Sequence, residues 1–386
     1  MISVDLEPKI VVFSRGDVWL KLFAGESPGV PYTSETKPTN YGVQVQIQFE
    51  HEYKSGTFND VVTLDETPDS NGIIDINISN ILHSEFMRSY ATPPLPAIGS
   101  IAAFITNNIR KYKIRTREIQ GIDFEEGSWL DIGSNLKVIF GGVTIDRSTE
   151  AWDASALSQA QSVFSWMPSG MMVGVGQPKY ITDAGGGSTL VTLYGITNNV
   201  LQTASIPDPG AETGECVTYY IGTKLFSDAN VANGYKVHIL LQSGEERYYY
   251  IDHQRKGKLD AIFINGFGAP ECVRFFGQLD ESLSVDRDKV ELIRGQETEL
   301  SRGDVKQYAS RWDDIFRLRT GFISEGEARA MKDLLVYNFF FWIRGSVYEA
   351  LDITTSDFNI NNTGQFLKSM DFEAVRSIKK KIIPIL

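Results

Sequence analysis

The chain has 386 residues, a formal net charge of −12 and 42% hydrophobic residues. Single cores stop growing near roughly 250–300 residues, so this length calls for two or three domains, and the apolar content excludes a chain disordered by composition. The acidic balance, with no basic face, excludes a grip on nucleic acid, which needs Lys and Arg to neutralise phosphates.

The start, Met1-Ile2-Ser3-Val4-Asp5, lacks the basic region and apolar run of a signal peptide. No stretch approaches the roughly 20 apolar residues of a membrane span. Residues 41–50 alternate strictly: Val43, Val45, Ile47 and Phe49 against Gln44, Gln46, Gln48 and Glu50. That period of two predicts a strand with one face buried and one in water. Ile74, Ile76 and Ile78 alternate with Asp75 and Asn77 in the same way. The intervening Thr67-Pro68-Asp69-Ser70-Asn71-Gly72 is a turn, since proline fixes φ and Asn-Gly supplies positive φ. A short helix is expected near 78–90, with strands at 111–119 and 136–140. Short strands at regular spacing predict a β-sandwich over 1–147.

Residues 148–170 hold Ala, Ser and Gln with scattered Trp152, Phe164 and Trp166, and are expected to form a linker or arm. A central β domain is expected over 171–280, with strands at 188–196, 217–221, 236–242 and 247–251. Two cysteines, Cys216 and Cys272, are too few for a disulfide framework or a structural zinc site. They read as free buried thiols of a protein assembled in a reducing cytoplasm. Tyr248-Tyr249-Tyr250 puts rings on both faces of its strand, as in strands covered by layers or subunits on both sides. Exposed tyrosines also stack on sugar rings.

Residues 281–386 predict a small α+β domain. Ser324 and Glu327 have the spacing of a capping box, followed by Ala328, Met331, Leu334 and Leu335 at helical spacing. Phe339-Phe340-Phe341-Trp342-Ile343 is then a buried strand or a patch that meets a partner. Lys379-Lys380-Lys381 reads as a solvated strand edge.

Motifs that carry chemistry are missing. The four histidines form no metal-binding pair, Gly-x-Ser-x-Gly does not occur, and Gly185-Gly186-Gly187 lacks the Lys-Ser/Thr of a phosphate loop. Asp123, Glu125 and Glu126 between Gly121 and Gly127 read as a solvated acidic turn. No catalytic residue, cofactor ligand or metal ligand is therefore expected.

Three segments carry a family resemblance. The first runs from Leu64-Asp65 through Asp69 and Gly72 into Ile74-Asp75-Ile76-Asn77-Ile78-Ser79-Asn80-Ile81-Leu82. The second is the hairpin Ala261-Ile262-Phe263-Ile264-Asn265-Gly266-Phe267-Gly268 through Phe275-Phe276-Gly277. The third runs from Leu318-Arg319-Thr320-Gly321 to Leu334-Leu335. Together they resemble tail and baseplate proteins of phages and prophages of Bacteroidetes hosts. The resemblance implies tandem β-sandwich domains in a homo-oligomeric ring or adaptor, a virion location after assembly in the host cytoplasm, and other tail subunits as partners. It implies no catalytic residue. Aromatic anchors dominate interfaces, so Trp152, Phe164, Trp166, Phe339, Phe340, Phe341 and Trp342 are the candidate contact residues. The alternative expectation is a carbohydrate-binding module of a receptor-binding or adhesin protein.

Overall fold

The computed structural model describes residues 2–8, 11–27, 29–33, 36–50, 52, 54–89, 95–106, 108–120, 125–133, 136–141, 163–165, 168–184, 186–211, 215–254, 259–277, 279–291, 305–331, 334–335, 339–355, 367–377 and 380–382. The fold is mainly β, as the alternating patterns predict, with five sheets among the described residues. No described helix is long and apolar enough to cross a membrane, which leaves β-barrels unaddressed.

The N-terminal part stacks two sheets. One holds Ile2–Leu6, Trp19–Ser27, Val30–Pro31 and Ile73–Asn77. The other runs in the order Val11–Phe13, Lys137–Ile139, Ile109–Gln120, Gly42–Glu50, Phe58–Glu66, with Glu125–Glu126 and Leu130–Ile132 also on Ile109–Gln120. Val43, Val45, Ile47 and Phe49 enter the core between them, against Leu20, Leu22, Ile74 and Ile76. The opposite face is less wet than the pattern predicts. Glu50 is buried because its carboxylate accepts the Gly56 amide at 3.0 Å and the Lys111 amide at 3.3 Å. In the turn, Asp69 Oδ1 accepts the amides of Asn71 and Ile73, and Gly72 adopts φ +78°. The helix Ser79–Ser89 follows; Asn77 Oδ1 accepts the Ser79 amide. Leu82 and Phe86, with Ile78 just before the helix, are spaced four apart and bury one face of it.

The central part is a second sandwich. A five-stranded sheet runs Met171–Gly174, Glu246–Asp252, Gly234–Leu240, Thr189–Gly195, Val200–Ile206. It packs through Val191, Leu193, Val237, Ile239 and Tyr249 against a three-stranded sheet, Tyr180–Ala184, Cys216–Tyr220 and Phe104–Thr106. That last strand comes from the N-terminal segment. It is tied in by hydroxyls: Thr218 Oγ1 lies 2.5 Å from Thr106 Oγ1 and 2.7 Å from Thr182 Oγ1.

The third part is an eight-stranded sheet in the order Pro270–Phe275, Leu259–Ile264, Phe340–Arg344, Val347–Ile353, Leu367–Arg376, Val305–Ser324, Asp280–Glu291, with Lys380–Ile382 on Val305–Ser324. Strand pairing thus crosses residue 280: the hairpin of Leu259–Ile264 and Pro270–Phe275 hydrogen-bonds to Phe340–Arg344. The capping box forms. Glu327 Oε2 accepts from the Ser324 amide and hydroxyl, both at 2.8 Å, and starts the short helix Glu325–Ala330.

The three parts meet around the 264–270 turn. Asn265 Oδ1 accepts the amides of Phe267 and Ala269, and its Nδ2 donates to Glu271 and to the carbonyl of Phe164. Asn108 Nδ2 donates to the Phe267 carbonyl at 3.0 Å. Ile109, Ile139, Phe164, Cys216, Phe267 and Ala269 pack together there.

Candidate functional site

Among the predicted contact residues, Trp152 and Trp166 lie outside the described residues. Phe164 is buried, its ring stacked on Phe267 at 5.4 Å and its amide donating to Thr182. Phe340 and Trp342 are buried in the third core, where Trp342 meets Phe316 edge-on at 5.3 Å. Phe339 and Phe341 are half-buried, against Phe140 at 5.7 Å and Tyr348 at 6.4 Å. The apolar run is therefore a core strand. Leu259–Ile264 takes one of its edges and Val347–Ile353 the other. Phe164 and Phe340 have no surface left to offer a neighbour.

Two polar clusters test whether the interior holds chemistry. Ser14 Oγ lies 3.0 Å from His83 Nδ1, and Arg15 Nε donates to His83 Nε2 at 3.1 Å. The lone pair is therefore on Nε2, and Nδ1–H donates to Ser14. A base that activated Ser14 would need the opposite tautomer, and Ser14 is fully buried. Burial, and then the Arg15 charge, push the imidazole pKa down to about 4. This pair is a structural cross-tie between the helix Ser79–Ser89 and the loop after Val11–Phe13.

The second cluster surrounds Lys179. Its amine is buried and has no hydrogen-bond partner among the described residues. Burial lowers its pKa, and the charges of Glu271, Cys272 and Glu327 counter part of that effect. Lys179 borders a cavity of about 30 Å³, room for a water and too little for a substrate. Burial pushes both thiols, Cys216 and Cys272, above their usual range, which makes them unreactive. Among the described residues no group of three or more His, Cys, Asp or Glu is placed to hold a metal.

The open surfaces differ from this interior. Among the described residues the strand Asp280–Glu291 forms one edge of the eight-stranded sheet, and residues 281–287 are exposed on both faces. In register, Glu281 opposes Phe316, Leu283 opposes Asp314 and Val285 opposes Trp312. Directly opposed residues share a face. The face that is core at Phe316 therefore continues outward through Leu283, 60% exposed, and Val285, 42% exposed.

The second open surface is the outer face of the five-stranded sheet. Strand alternation splits the three tyrosines: Tyr249 points into the core, where its hydroxyl donates to the Ile221 carbonyl at 2.6 Å, while Tyr248 and Tyr250 point outward. Tyr250 sits opposite Lys236 and Met172, and Lys236 opposite Tyr194. Tyr248 sits opposite His238, and His238 opposite Thr192. Lys236 Nζ lies 5.0 Å above the Tyr194 ring, and His238 Nε2 is 3.1 Å from Glu246 Oε2.

Period-two reading located the tyrosine strand but missed Asp280–Glu291. Its signal was the alternation of Leu283 and Val285 with Ser282, Ser284 and Asp286, weakened by the charges that follow. No family model matches the chain, and no curated protein matches it. Among solved structures the chain is similar to one described as "Biofilm associated protein - BSP domain", at 9% identity and a TM-score of 0.18, over 82% of this chain and 63% of that one. The match spans less than two thirds of that chain's length, and at this TM-score it carries no argument about fold or function.

Proposed function

We propose that the chain is a structural subunit of a larger assembly, a tail or baseplate ring or adaptor component that holds other subunits by protein–protein contacts. One observation carries this reading: among the described residues the strand Asp280–Glu291, twelve residues long, lies at a sheet edge with 281 to 287 exposed on both faces, continuing a core face into solvent. Ordinary strands run to about 5–6 residues, and a long bare edge invites pairing unless something covers it. The exposed charges of Asp286, Arg287 and Lys289 blunt its outer half. Leu283 and Val285, next to the body, are the part left for a neighbour. The resemblance to tail and baseplate proteins supports the same reading.

The test is light scattering on the full chain, alone and co-expressed with its genomic neighbours. A discrete multimer or a defined hetero-complex is expected. The double substitution Leu283→Asp/Val285→Asp should abolish it, while thermal stability stays within about 0.5 kcal/mol because both side chains are exposed. A chain that stays monomeric with every neighbour, or association indifferent to the substitution, overturns the reading.

A further inference from the structure

We propose that the outer face of the five-stranded sheet is a binding site for a neutral oligosaccharide. Three rings touch in sequence: Tyr235 lies 5.1 Å from Tyr250, and Tyr250 5.7 Å from Tyr248. Tyr235 is 47% exposed and Tyr248 39%. Beside two of the rings the register sets groups that donate or accept hydrogen bonds: Lys236 beside Tyr250, and His238, then Thr192, then Thr203 in the row of Tyr248. Lys236 also reaches Asn198 Oδ1 at 3.4 Å, and His238 reaches Glu246.

A pyranose ring has apolar C–H faces and a polar rim of hydroxyls. Rings that present part of their surface accept the C–H face, and side chains that both donate and accept suit the rim. The three rings follow one another in a row but meet at 48° and 76°, so each offers its own surface to a successive unit of an extended chain. Charge decides the class of sugar. Among these described residues the face carries one positive charge, Lys236, and one negative, Glu246, the latter bound to His238, so it has no excess of positive charge to attract a uronic acid or a sulfated sugar. The site shares no residue with the edge strand Asp280–Glu291, so the two proposals fail separately.

The test uses the full chain on an array of neutral and acidic oligosaccharides, followed by calorimetric titration of the best neutral hit. Retention of neutral oligosaccharides is expected. Tyr248→Ala and Tyr235→Ala should each weaken binding about tenfold, the scale of one lost aromatic contact. Tyr248→Phe keeps the ring and should bind as the parent does, and Leu283→Asp should leave binding unchanged. Four outcomes overturn the proposal: no neutral oligosaccharide is retained; binding is indifferent to both alanine variants; Tyr248→Phe loses as much as Tyr248→Ala; or the tyrosine substitutions abolish subunit association instead, which makes the face a protein contact.

Discussion

His83 links a residue-scale hydrogen bond to the stability of the N-terminal sandwich. Its ring stacks on Phe140 at 5.8 Å, donates to Ser14 and accepts from Arg15. Only the neutral ring can do this, since a proton on Nε2 would face the Arg15 guanidinium. The folded pKa of about 4 lies below the ordinary value of 6.5, so the unfolded chain binds more protons between these values. The stability from the neutral ring is complete above pH 6.5 and is lost as pH falls towards 4. For a half-exposed group the loss is about 1–2 kcal/mol after solvent screening. Urea melts at pH 7 and pH 4.5 should show this excess loss in the parent relative to His83→Gln. Equal slopes for the two proteins would refute the assignment.

At the scale of elements, the capping box shows how two residues start a helix. Glu327 lies buried beneath Ser324 and accepts both its amide and its hydroxyl, while Ser324 Oγ accepts the Glu327 amide at 3.3 Å. A helix of six residues is too short to hold by propensity, so cap and packing carry it. Ala328 and Met331 provide the packing. Ser324→Ala should cost about 1–2 kcal/mol in chemical denaturation, and Ser324→Thr much less. This element was legible from the Ser-x-x-Glu spacing, while the helix Ser79–Ser89 was expected only as a short helix near 78–90. The aromatic run 339–343 was ambiguous because continuous apolar runs look alike whether a partner strand or a partner subunit covers them. The strands Leu259–Ile264 and Val347–Ile353 resolve it, and no local pattern points to either.

At the scale of the molecule, the three parts are interlocked. The central sandwich borrows Phe104–Thr106 from the N-terminal segment, and the third sheet takes the hairpin 259–275. Their meeting point is tight enough to demand glycine. Gly141 adopts φ +115°, and a Cβ there would run into the Gly266 carbonyl. Gly345 also has positive φ, +62°, but faces open space. Gly345→Ala should therefore cost about 1 kcal/mol, the backbone penalty alone, and Gly141→Ala about 2–4 kcal/mol, the penalty plus the clash. Urea midpoints of the two variants check the difference. Equal losses would mean the junction yields.

What the sequence determined by itself is local. Period-two alternation set the strands and their buried faces, Asp69 to Gly72 set a turn, and Ser324 with Glu327 set a helix start. Each depends on residues a few positions apart, where side-chain direction follows from backbone geometry alone. What only the tertiary structure decided is long-range: that Phe104–Thr106 serves the central sandwich, that the hairpin 259–275 completes the third sheet, that the aromatic run is core, and that Tyr248 and Tyr250 face outward while Tyr249 does not. Alternation says that neighbouring side chains point opposite ways. Which way is inside depends on what packs against the sheet, and those partners lie tens of residues or more away in the chain.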